Sequence, residues 1–345
     1  MITEVLLEEK LPAVMLREVD LEITVIPRLG GKISSIRWGS RELLARNPDK
    51  ALQPAKYAAP YADYDASGFD ECLPTIGPCQ YPEYPWKGVE LPDHGEAWSL
   101  PWTCLEESGG LHLKVHGIRI PYVFEKRIHI ERPGVVDLHY SLRNETPFDI
   151  RYLWSSHPLL APQPGMRICL PEGVKVRVDW SKDGRLGELL DEHAWPETRD
   201  SRGNPVDLSL ILPEQALLVD KLYTTRLSQG WCALYEPVSG QYTAFLFSPQ
   251  EVPYVGLSIN LGGWPVDETG EKPGYYNLGL EPCNGYPDRL DIAVQSGDCP
   301  TLEAGSSHEW NLQLRVGVAK SMDHARAYLS GQSEKLITEG KHLEP

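Results

Sequence analysis

Positive charge is scarce in this 345-residue sequence: 33 lysines and arginines stand against 49 acidic side chains, a formal net charge of −16. That balance argues against nucleic acid or an anionic membrane as a partner, since both are polyanions. Long apolar runs are missing as well; none approaches the ~20 residues of a membrane span. The opening MITEVLLEEKLP lacks the cationic stretch and following apolar stretch of a secretory leader. The seven cysteines, Cys72, Cys79, Cys104, Cys169, Cys232, Cys283 and Cys299, are odd in number and form no close C-x-x-C pair. A zinc or redox site is therefore not indicated. The expectation is a set of reduced thiols in a cytoplasmic protein. Asn144-Glu145-Thr146 matches the glycosylation pattern, which means little without secretion. Repeats and low-complexity linkers are absent too, so one large domain over residues 1–345 is preferred to two.

What the sequence does contain is alternation with a period of two. Leu21, Ile23 and Val25 alternate with Glu22 and Thr24; Leu111, Leu113 and Val115 alternate with His112, Lys114 and His116. Val136 to Arg143, Val174 to Trp180 and Trp310 to Val316 repeat the pattern. Successive side chains of a strand point to opposite faces, so each such segment buries one face and wets the other. Thirty glycines and thirty prolines punctuate these runs. Many short strands between Gly/Pro turns predict an all-β protein, a sandwich or barrel. Helical periodicity is scarce; its best case is Met322 to Ile337, which predicts a terminal helix with a polar tail.

The segment from Asp49 to Trp102 breaks the alternation. It is dense in Pro, Tyr, Asp and Gly. A long loop inside a compact protein is usually functional or disordered. The aromatics of this one argue for order, packed at a site.

Four short segments join titratable groups to turn residues. They are Gly68-Phe69-Asp70-Glu71, Pro92-Asp93-His94-Gly95-Glu96, Ser155-Ser156-His157-Pro158 and Leu280-Glu281-Pro282-Cys283-Asn284-Gly285. Alone, each is weak: a histidine near a strand end is commonly a structural hydrogen-bonder, and Glu236-Pro237 repeats the Glu-Pro turn elsewhere. Together they follow an order. Val25 to Ile33 (VIPRLGGKI), then Pro92 to Ser99 (PDHGEAWS), Trp154 to Pro158 (WSSHP), Gly279 to Pro282 (GLEP) and Leu302 to Ser306 before the Trp310 strand resemble the aldose 1-epimerase, or galactose mutarotase-like, superfamily. The resemblance spans residues from about 20 to about 318, leaving a helix and tail over 319–345.

The resemblance implies a large antiparallel super-sandwich with a sugar-binding face. It also implies cofactor-independent interconversion of the α and β anomers of a free or modified aldose. Carried over by motif, Glu281 is the base and His157 the acid. His94 is a sugar hydrogen-bonder near the ring oxygen, and Lys32 a basic sugar-binding residue. Their types suit the work: a carboxylate accepts a hemiacetal proton, and a histidine near its own pKa donates one. Asp70 and Glu71 are added as hydroxyl acceptors. Trp98, Trp154 and Trp264 are candidate platforms for the C–H face of a pyranose, although burying the ring is the commoner use of tryptophan. In the best-known mutarotases the catalytic histidine follows an asparagine, whereas Ser156 precedes His157 here, which implies a divergent branch.

Three further readings stay open. The chain could be a non-catalytic sugar-binding or sugar-sensing protein of the same fold. It could cleave carbohydrate as a hydrolase or lyase, with carboxyls drawn from Asp70, Glu71, Glu96 and Glu281 at ~5–9.5 Å separation. Asp93, His94 and Glu96 could hold a metal only with further ligands that the spacing does not supply, which makes a metal the minority reading, and the resemblance implies no cofactor. His112 and His116, ~13 Å apart along a strand, cannot chelate one ion together. The expected partner is a small-molecule sugar, bound by a monomer or homodimer.

Overall fold

A computed structural model describes residues 1–7, 10–265 and 273–338. The protein is all-β, a sandwich of large antiparallel sheets with a short C-terminal helix. Its contacts gather into two compact units, Met1–His157 with Cys283–Gln313, and Pro158–Pro282 with Leu314–Pro345.

In the first unit, strands Ile2–Leu7, Leu11–Glu18, Leu21–Ile26 and Lys32–Trp38 form an antiparallel meander, and Phe69–Cys72 pairs with its last member. A second meander runs through Thr103–Glu107, Gly110–His116, Tyr122–Arg132 and Val135–Asn144. The alternation explains these strands. Leu111, Leu113 and Val115 are buried while His112, Lys114 and His116 are more open, and Val136, Leu138, Tyr140 and Leu142 point inward. Aromatic rings fill the interior. Tyr140 stacks on Trp310 at 5.6 Å, and Trp154 meets Trp310 at 4.9 Å. Each such pair adds about 0.5–1.5 kcal/mol beyond area burial.

In the second unit, Lys175–Ser181 pairs with Leu218–Thr224, which pairs with Tyr254–Leu261; Tyr276–Cys283 follows. Trp231–Tyr235 lies between Arg167–Cys169 and Gln241–Phe247. Helix Met322–Thr338 sets Met322, Ala325 and Leu329 against Trp231, Ala233, Tyr235, Ala244 and Leu246. Ser333 Oγ, buried, accepts the Gly230 N–H at 2.8 Å and fixes the helix on its sheet. The helix extends as the periodicity predicts; the expected tail beyond it lies outside the described residues.

Two elements depart from the alternation. Strand Phe69–Cys72 is buried at all four positions, so both of its faces are covered and no period of two is left to read. Helix Leu290–Ser296 is too short for a helical period to show; it ends on Gly297 at φ +77°.

Candidate functional site

The first unit gathers most of the predicted site residues around Tyr61 and the Asp70 carboxylate that Lys32 holds. Lys32 begins its strand directly after Gly30 and Gly31, which take φ +67° and +63°. At Gly30 a Cβ would lie 2.2 Å from the Trp98 carbonyl oxygen, so only glycine lets the Asp93–Trp98 segment close over this turn. The Lys32 ammonium, 3% exposed, lies 2.6 Å from Asp65 Oδ2 and 2.9 Å from Asp70 Oδ2, and donates to the Ser67 carbonyl at 2.8 Å. An ammonium has three N–H donors. All three are used, so Lys32 anchors two carboxylates. Burial pulls its pKa down, but Asp70 and Asp65 outweigh burial and leave it raised.

Asp70 is fully buried. Its Oδ2 accepts from Lys32 and from the Tyr61 hydroxyl at 2.9 Å, while Oδ1 has no hydrogen-bond partner among the described residues. Burial raises its pKa; Lys32 and Tyr61 oppose that shift without cancelling it, and Asp65 adds to it. A buried acceptor without a donor is costly, so Oδ1 is suited to an incoming hydroxyl.

Tyr61 stands at the centre. Its ring stacks on His94 at 4.1 Å and 17°, and meets His157 edge-on at 5.3 Å and Trp98 at 5.0 Å. The His94 and His157 rings are 5.0 Å apart. His157 is 5% exposed, on a strand, Ser155–Leu160, that is buried throughout. His94 has φ +58°, held there because its N–H donates to the Ile76 carbonyl at 2.7 Å. Asp93 clamps both aromatic neighbours: Oδ1 lies 2.9 Å from His94 Nδ1, and Oδ2 accepts the Tyr61 N–H at 2.9 Å. Burial pushes the Asp93 pKa up, but its bonds to His94 and the Tyr61 backbone prevail and lower it. Trp98 donates from Nε1 to the Asp93 carbonyl at 3.0 Å, its ring buried against Tyr61.

Glu71 and Trp154 lie apart from this cluster. Glu71 Oε1 takes hydrogen bonds from Lys126 Nζ and the Tyr140 hydroxyl, both at 3.0 Å, and Oε2 takes one from Trp154 Nε1 at 2.9 Å. All four residues are buried. Lys126 also donates to the Gly31 carbonyl at 3.0 Å and lies 5.5 Å from the Trp102 ring centre. These groups form a core ion pair. Glu96 is likewise engaged: its Oε2 accepts from the Tyr57 hydroxyl and from the backbone N–H groups of Ile118 and Arg119.

The second unit holds Glu281 and Trp264. Glu281 is fully buried on Tyr276–Cys283 and ion-paired with Lys221, whose ammonium lies 5.3 Å from the Tyr223 ring centre. A Cβ at Gly279 would meet Glu281 Oε1 at 2.2 Å. The missing side chain is therefore the space the carboxylate occupies. Trp264 is 46% exposed and is tied to Asn260 through its backbone. Among the described residues no group of three or more His, Cys, Asp or Glu side chains is placed to hold a metal ion, and no helix is long and apolar enough to cross a membrane.

Sequence reasoning missed Tyr61, Asp65 and Lys221. The first two fall in the Tyr/Asp-rich segment singled out as ordered, which was the available signal. Lys221 lies in a strand with nothing local to mark it.

No family model matches the chain, and no curated protein matches it in sequence. Solved structures do match. A protein of Synechocystis sp. PCC 6803 superposes with a TM-score of 0.67 at 16% identity, covering 89% of this chain and 96% of that one. A candidate aldose 1-epimerase of Escherichia coli K12 gives 0.61 at 18% identity, over 92% and 100%. A galactose mutarotase related enzyme of Lactobacillus acidophilus gives 0.61 at 13%, over 90% and 99%. At these identities the likeness is one of fold. The chain has the galactose mutarotase-like fold, as a divergent example of it.

Proposed function

We propose that the protein is a cofactor-independent aldose 1-epimerase acting on a free or modified aldose. Glu281 takes the proton of the anomeric hydroxyl while His157 gives one to the ring oxygen. The ring opens, the C1–C2 bond rotates, and the ring closes on the other face of the carbonyl. Closure needs the opposite protonation, so the two groups exchange roles. Lys221 supplies the counter-charge that lets a carboxylate be buried at Glu281. His94 is a sugar hydrogen-bonder and Asp70 a hydroxyl acceptor.

The observation that supports the reading is that Tyr61 stacks on His94 and meets His157 edge-on, beside a buried Asp70 oxygen that has no hydrogen-bond partner among the described residues. Two imidazoles and an unsatisfied acceptor at one place suit a polyhydroxylated ligand that must exchange protons. The test is saturation-transfer NMR of anomer exchange across a panel of aldoses, deoxy and acidic sugars included. Exchange above the buffer blank is expected for at least one sugar. Glu281→Gln is expected to remove it, a loss of ~10²–10⁴ for one acid–base group, with the fold intact by circular dichroism. Unchanged exchange in that variant would refute the assignment of the base. Saturable binding without exchange would indicate a sugar-binding protein, and reducing ends released from oligosaccharides a cleaving enzyme.

A further inference from the structure

Tyr61 has no role in the proton transfers just described, yet it touches every imidazole of the cluster. Its hydroxyl has one proton and two possible acceptors, Asp70 Oδ2 at 2.9 Å and His157 Nδ1 at 3.5 Å. The proton goes to the carboxylate, which is nearer and forms the stronger, charge-assisted bond. The phenol oxygen then presents a lone pair toward His157 Nδ1. Only an N–H can answer it, because two lone pairs would repel. Burial above all, and then the Asp70 charge, push the Tyr61 phenol well above its ordinary pKa, so the hydroxyl stays protonated. Asp70 is itself held in place by Lys32.

We infer that Tyr61 is a positioning residue that holds His157 as its Nδ1–H tautomer, so that Nε2 is the nitrogen that gains and loses the proton. The relay runs Lys32, Asp70, Tyr61, His157, and each member fixes the next. The second imidazole is set by another acid: Asp93 Oδ1 accepts at His94 Nδ1, 2.9 Å away. Both rings thus keep Nδ1 for the protein. In catalytic triads a buried carboxylate fixes the imidazole tautomer directly; here a phenol stands between them. The tautomer assignment is independent of the epimerase reading, while its consequence for turnover rests on that reading.

The test is the ¹⁵N ring signature of His157 in the full chain, at a pH above its titration, in wild type and in Tyr61→Phe. Phenylalanine keeps the ring that stacks on His94 and removes only the hydroxyl. Wild type is expected to show the Nδ1–H form, and Tyr61→Phe to shift toward Nε2–H. An Nε2–H form in wild type, or a tautomer unchanged in Tyr61→Phe, would overturn the inference. His157→Asn assigns the signal. With a sugar that shows anomer exchange, Tyr61→Phe is expected to lower kcat about tenfold, a fraction of what an acid–base group supplies, with KM within about twofold. An unchanged kcat would overturn the positioning role. The expected tautomer shift without exchange for any sugar would sink the epimerase reading and leave the Tyr61 assignment standing.

Discussion

Replacing Lys126 by methionine tests the account of the core most directly. The ammonium and the Glu71 carboxylate are both 0% exposed and lie 3.0 Å apart. Methionine fills a similar volume with no charge. Glu71 then keeps its bonds from Tyr140 and Trp154 but loses its counter-ion. Removing one partner of a buried pair costs about 3–5 kcal/mol, which at 1.36 kcal/mol per decade is ~10²-fold or more in the unfolding equilibrium. Urea unfolding followed by tryptophan fluorescence measures it. The pH dependence is a second signature. Burial already raises the Glu71 pKa against the pull of Lys126, and without that lysine it rises further. A carboxyl raised in the folded state favours folding below its unfolded pKa, and that advantage is lost as pH rises through the folded value. The deficit of the variant is therefore largest near neutrality and shrinks toward pH ~4. Adding Glu71→Gln removes the orphaned charge and is expected to recover most of the loss. A single-variant cost under ~1 kcal/mol, the level of an exposed pair, would refute the reasoning. So would a double variant no better than the single one.

Other outcomes follow from the same geometry. Gly30→Ala combines φ +67° with a Cβ 2.2 Å from the Trp98 carbonyl oxygen; the left-handed backbone alone costs about 1–2 kcal/mol, so its melting temperature should fall clearly while Gly39→Ala, at φ +60° with nothing within 4 Å, falls less. Asp93 has a lowered folded pKa, so its contribution is full above the ordinary carboxylate value and disappears as pH falls through the folded one. Asp93→Asn should therefore be destabilised near neutrality and converge with wild type in acid, and a gap that stays constant with pH would contradict this.

The legible parts of the fold are those where one face is wet. Gly110–His116 and Val135–Asn144 could be read because polar residues mark every second position. Phe69–Cys72 could not, because its acids are inside the protein. At the site, the order of short motifs pointed to His94 and His157, which the structure brings to one phenol ring. The phenol itself escaped notice, since the Tyr/Asp-rich segment was marked as a whole and nothing set Tyr61 apart from its other tyrosines. Lys32 and Asp65 are 33 positions apart, so their pairing is a product of folding that no local pattern contains. The neighbouring acids Asp70 and Glu71 looked alike in sequence, yet the alternation of a strand sends them to different lysines, Lys32 and Lys126.

That divergence makes the short strand self-checking. A slip of one residue would turn every side chain of Phe69–Cys72 to the opposite face. Asp70 would then face the aromatic interior around Trp154, and Glu71 would be thrust toward Tyr61. Each lysine accepts its carboxylate in only one register, so the two ion pairs together act as a key cut on both edges. A single-residue insertion between Ser67 and Phe69 should therefore be tolerated far less than one in an exposed turn such as that at Gly39, although both lie outside strand interiors.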